Sequence, residues 1–133
     1  MDGTACWSLP GVAPRPDRIR YVRHQARLVL HLWRLADLTP PVEVLISELA
    51  TNAVRHARTP FTVALAWDGL TLRVEVRDGS SLAPRPYLAD DPDREGGRGL
   101  LLVDAVAQDW GVNLHHQGKT VWFTITRDAD DPW

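Results

Sequence analysis

The amino-acid sequence predicts an α+β two-layer sandwich, with helices packed on one face of a sheet built from hairpins. Three observations carry this. Two stretches of helical periodicity precede the first strands, at residues 17–34 and 39–57. Two pairs of alternating segments are each closed by a short turn, Asp68-Gly69 and Gln117-Gly118. Strands grouped in hairpins with helices between them then require a sheet covered on one side. A chain of 133 residues, 44% hydrophobic and 24% charged, is one domain's worth of soluble globular protein.

In chain order, the short apolar piece at residues 5–9 reads as an edge strand. Residues 10–16, rich in proline and glycine, read as a loop. Asp17 stands where a helix N-cap belongs. Ile19, Val22, Ala26, Val29, Leu30 and Trp33 recur at helical spacing, and Arg20, Arg23, His24, Arg27 and Arg34 fall on another side. That basic face reads as a solvated surface. Thr39-Pro40-Pro41 opens a second helix, with threonine as cap and proline in the first turn. This helix runs to about residue 57 and stops before Pro60. Residues 61–67 and 70–76 alternate as a hairpin about Asp68-Gly69. Residues 78–98 form a long polar stretch without periodicity, of the kind that is functional or mobile inside a compact domain. Residues 100–106 read as a short helix, and residues 110–115 and 120–126 as a second hairpin.

Composition removes several functions. The formal net charge of −2 calls for neither nucleic acid nor an anionic membrane. Arginine supplies nearly all the basic residues, Lys119 being the single lysine. The one cysteine, Cys6, excludes an internal disulfide, argues against a cysteine-based metal site and reads as a packing residue. Neither a secretory signal nor an apolar run of about 20 residues is visible, so a cytoplasmic protein is expected.

The chemistry concentrates on the second helix. At about 100° per residue, Glu48, Asn52, Arg55 and His56 share one side, opposite Ile46, Leu49, Ala53 and Ala57. A carboxylate beside a carboxamide suits magnesium, which takes oxygen ligands and keeps waters and substrate phosphates in its shell. An arginine there can meet phosphate oxygens bidentately. Taken alone, the same four residues read more readily as a polar helix face than as a site. Gly96-Gly97-Arg98-Gly99-Leu100 places glycines before a helix, where backbone N–H groups and the helix dipole favour phosphate. Val74-Glu75-Val76-Arg77-Asp78-Gly79 is a strand ending in aspartate and glycine, which alone reads also as a plain strand-end turn.

Together and in this order, these segments resemble the GHKL ATPase superfamily, the Bergerat fold of histidine kinases, gyrase-type ATPases and bacterial anti-sigma serine kinases. Glu48-Leu49-Ala50-Thr51-Asn52-Ala53-Val54-Arg55-His56-Ala57 is similar to its N box. Asp78-Gly79 is similar to the first glycine box, and Gly97-Arg98-Gly99-Leu100 to the second. Gly118-Lys119-Thr120-Val121-Trp122 is similar to its final Gly-x-Thr strand. Within the superfamily the chain most resembles the small stand-alone anti-sigma factor kinases. Glu48 opens the box, and Leu100-Leu101-Leu102-Val103 is followed by Trp110-Gly111-Val112 as in that group. The length leaves no room for a phosphoacceptor-histidine dimerisation domain, so a complete sensor kinase is not expected.

The resemblance implies a mixed, mostly antiparallel sheet in a single domain over residues 1–133, with flexible ends at about 1–4 and 128–133. It implies an ATP lid at about residues 79–98. ATP and Mg2+ are the implied cofactors. Asp78 would accept from the adenine amine, with Thr120 supporting the ring and Gly79 shaping the turn. Asn52 would ligate magnesium, and Glu48 would be the base for the attacking serine hydroxyl. Arg55 would face the phosphates, and Gly97, Gly99, Arg98 and Leu100 would form the lid's phosphate contacts. His56, beside them, reads as a structural hydrogen-bonder, while His115 and His116, on opposite strand faces, carry no role. A sigma factor and an anti-sigma factor antagonist are the implied partners, with homodimerisation a further expectation. Two functions stay open: a serine/threonine kinase acting on the antagonist, or a catalytically silent ATP-dependent protein-binding module.

Overall fold

The computed structural model describes residues 3–80 and 107–127. The expected second glycine box (Gly97, Arg98, Gly99, Leu100) and the short helix at 100–106 lie outside the described residues.

The strands are β1 (Ala5–Val12), β2 (Phe61–Trp67), β3 (Thr71–Asp78), β4 (Asp109–His115) and β5 (Gly118–Thr126); the helices are α1 (Asp17–Leu32) and α2 (Thr39–Asn52). One sheet has the order β1-β2-β3-β5-β4, and every described ladder is antiparallel. β1 is the edge strand expected from its apolar residues, but it continues through Pro10 and Gly11 to Val12. Leu9 pairs with Val63 and Val12 with Phe61, so Pro10 and Gly11 bulge opposite the single residue Thr62. Proline is tolerated there because an edge strand needs no donor on its open side, and Gly11 takes φ +66°.

Strand alternation sorts the side chains. Phe61, Val63 and Leu65 of β2, Leu72, Val74 and Val76 of β3, and Val121, Phe123 and Ile125 of β5 form the buried face. Against them pack Val22, Ala26 and Leu30 of α1, and Val42, Ile46, Leu49 and Ala50 of α2. This is the two-layer sandwich. Cys6, expected to pack, is instead exposed. In β1, Trp7 and Leu9 pack against the core, so the intervening Cys6 and Ser8 must point to the other face.

Both helix starts differ from expectation. Pro16 occupies the cap position of α1 and Asp17 is its first residue, beside Arg15 at 3.3 Å. Aspartate in a first turn still complements the helix dipole. Thr39 is likewise no cap: Leu38 precedes α2, and the buried Thr39 hydroxyl has no hydrogen-bond partner. Thr39 itself has helical dihedrals, φ −58° and ψ −48°, whereas a cap residue lies outside the helical region. A 3₁₀ turn, Ala36–Leu38, carries the chain into α2 instead. Arg127, just past β5, ties this connection to the sheet through Asp37 at 3.2 Å. None of the described helices is long and apolar enough to cross a membrane.

Candidate functional site

The site is built where α2 ends against the end of β3. Glu48 and Asn52 stand one turn apart on α2. Asn52 is buried and Glu48 is half-buried. After Asn52 the helix widens into a π turn, Ala53–Ala57, which packs against β3. Such turns are rare and frequent at functional sites. Arg55 and His56 lie on it, both exposed. The α-helical projection of these two residues therefore does not hold beyond Asn52. Arg58, in the left-handed conformation at φ 56°, stops the helix, its N–H bonded to the Ala53 carbonyl at 3.0 Å.

The next residue joins the two motifs. Thr59 Oγ1 accepts the Gly79 N–H at 2.8 Å. A side chain added at Gly79 would stand 3.3 Å from three Thr59 atoms, so the strand end and the helix end meet closely. Asp78-Gly79 is thus fastened beside the helix that carries Glu48 and Asn52.

Asp78 is buried, on the helix-covered face with Val74 and Val76. Its Oδ1 accepts the Ser80 N–H at 2.8 Å. Its other partner is Lys119, whose Nζ lies 2.9 Å from Oδ1 and 2.9 Å from Oδ2. Both side chains are at most 5% exposed. Asp78 and Lys119 are direct partners across the β3–β5 ladder, so the pairing register itself sets one opposite the other. Gly118 is required just before: a Cβ there would fall 2.1 Å from the Asp78 carbonyl oxygen.

Thr120 is the neighbour of Lys119 and therefore points to the opposite face of β5. It pairs in register with Arg77 rather than Asp78, and its hydroxyl is 2.8 Å from His115 Nε2. The structure does not bring Thr120 and Asp78 side chains together. Lys119 takes that place, and sequence reasoning passed over it. The signal was present: Val121, Phe123 and Ile125 share one face, and counting back by two reaches residue 119. Arg73, meanwhile, stacks on Trp122 at 4.4 Å on the sheet's other face, away from this site.

Could the site hold magnesium? Among the described residues no group of three or more His, Cys, Asp or Glu is assembled. Magnesium needs only one or two protein oxygens when phosphates and waters complete its shell. The Asn52 carboxamide oxygen, one turn from Glu48, fits an ion that arrives with a nucleotide.

Three comparisons bear on this arrangement. The chain resembles the solved RsbU and RsbW domains of Rv1364c from Mycobacterium tuberculosis, with 23% identity and a TM-score of 0.61. That match covers 94% of this chain and 34% of the other, so the chain spans about a third of the solved protein. The likeness is one of fold. A histidine kinase domain from the Erythrobacter litoralis EL346 blue-light activated histidine kinase matches at 27% identity and a TM-score of 0.49, over 68% of this chain and 45% of that one. No curated protein matches significantly. Residues 12–125, which contain α2, β3 and β5, match the family model of the histidine kinase-like ATPase domain, and the chain belongs to that family.

Proposed function

We propose that this chain binds ATP with magnesium and acts as a regulatory protein of the anti-sigma factor serine/threonine kinase type. It would transfer the γ-phosphate to a serine or threonine of an antagonist protein, sequester a sigma factor, or both. The observation that carries the reading is the Thr59–Gly79 hydrogen bond, which fastens the Glu48–Asn52 helix to the Asp78 strand end. Family membership supplies the nucleotide.

In this reading Asp78 accepts from the adenine amine, and Gly79 keeps the turn beside it narrow. Asn52 would hold magnesium, which when bound would neutralise phosphate charge. Arg55 faces the phosphates, with Gly97, Arg98, Gly99 and Leu100 supplying further backbone and charge contacts, and His56 holds the local hydrogen bonding. Glu48 accepts the proton of the attacking hydroxyl as its oxygen bonds to the γ-phosphorus and ADP departs. Phosphoryl transfer asks for positioning and electrostatics above all, and this sparse set supplies both. A cytoplasmic setting and a homodimer go with the reading.

The test is transfer of labelled γ-phosphate to antagonist-type proteins that co-purify with the chain in the presence of ATP. Transfer to a serine or threonine supports the kinase. ATP binding with no transfer to any of them would replace it with the ATP-dependent binding module.

A further inference from the structure

The buried pair of Lys119 and Asp78 has hydrogen-bonding capacity left over. An ammonium carries three donors, and a carboxylate offers about four lone-pair positions. Lys119 Nζ donates to Oδ1 at 2.9 Å and lies 2.9 Å from Oδ2 in the ion pair. Oδ1 also accepts the Ser80 N–H. Among the described residues this leaves a donor on Lys119 Nζ and an acceptor position on Asp78 Oδ2, two atoms 2.9 Å apart. Their spacing is held by the β3–β5 register, and Gly118 lets the two backbones approach without a side chain between them.

An adjacent acceptor and donor match the pairing edge of adenine. Its exocyclic amine donates, and the neighbouring N1 accepts. With both side chains almost closed to solvent, water does not compete strongly for these positions.

We propose that Lys119 is a specificity-determining residue: its remaining N–H donates to adenine N1 while Asp78 Oδ2 accepts from the exocyclic amine. The proposal rests on the nucleotide reading above and adds a second, direct contact to the base from the chain's single lysine. Thr120, turned to the other face and bonded to His115, takes no part.

The experiment compares ATP with 1-deaza-ATP, in which N1 is replaced by C–H and the amine is kept. Both are titrated calorimetrically, with magnesium, into the full chain and into Lys119→Met. The wild type should bind ATP and bind the analogue about ten-fold or more weakly, the expected loss of a hydrogen bond to a charged group. Lys119→Met should bind the two alike. Equal binding of both by the wild type overturns the Lys119 contact and leaves the nucleotide reading standing. Binding of neither overturns both. Should Lys119→Met fail to fold, the wild-type comparison decides by itself.

Discussion

Replacing Lys119 by methionine keeps most of the side chain's volume and removes its charge. The Asp78 carboxylate then stays buried, with only the Ser80 N–H among its described partners. Truncating one member of a buried ion pair costs about 3–5 kcal/mol, because the remaining charge is uncompensated. For a chain of 133 residues that corresponds to a fall in melting midpoint of about 10–20 °C. Asp78→Leu should cost a similar amount by stranding the ammonium. The double variant, Lys119→Met with Asp78→Leu, removes both charges and should recover to within about 1–2 kcal/mol of wild type. Urea unfolding of the four proteins measures the cycle. If Lys119→Met lies within about 1 kcal/mol of wild type, the pair is not a buried one and the argument fails.

Three further outcomes are expected. Glu48→Ala should abolish phosphate transfer while ATP affinity, followed by calorimetry, changes little; an equal loss of both would make Glu48 a binding residue. Gly118→Ala should destabilise the fold by about 1–3 kcal/mol or more, since its methyl would meet the Asp78 carbonyl, and denaturant midpoints will show it. Asp68, in the β2–β3 turn, accepts the Thr71 and Leu70 N–H groups at 2.7 and 2.8 Å. Those bonds, that of Thr71 foremost, hold its carboxyl below its ordinary value of 3.8. A lowered value means stability that is present at neutral pH and lost as pH falls below the ordinary value through the native one. The gap in melting temperature between wild type and Asp68→Asn should therefore close on acidification; a gap unchanged down to the acid limit would contradict this.

Much of this molecule was legible in its sequence, where local physics decides. Helical spacing found the buried Val22, Ala26 and Leu30, and alternation with Asp68-Gly69 found the β2–β3 hairpin. What escaped depended on neighbours in space. Thr39 looks like a cap until the 3₁₀ turn before it is seen to deliver it already in the helical conformation. Cys6 looks like a packing residue until its strand's phase is set by Trp7 and Leu9. The projection of α2 held for Glu48 and Asn52 but not into the π turn, which no periodicity announces. The site shows the same division: the helix and strand ends are motifs, whereas the Lys119–Asp78 pair is a matter of register between strands 41 positions apart. A motif match on Gly-x-Thr drew attention to Thr120, and strand alternation turns it away.

ATP binding is the claim on which the rest stands, and melting with and without nucleotide tests it most directly. With magnesium and ATP at about 100 times the dissociation constant, the folded state should gain about 2.7 kcal/mol, a rise in melting midpoint of several degrees. The same titration with Asp78→Leu/Lys119→Met, which is expected to fold, should give a much smaller rise. An unchanged midpoint for the wild type at millimolar ATP would contradict the account.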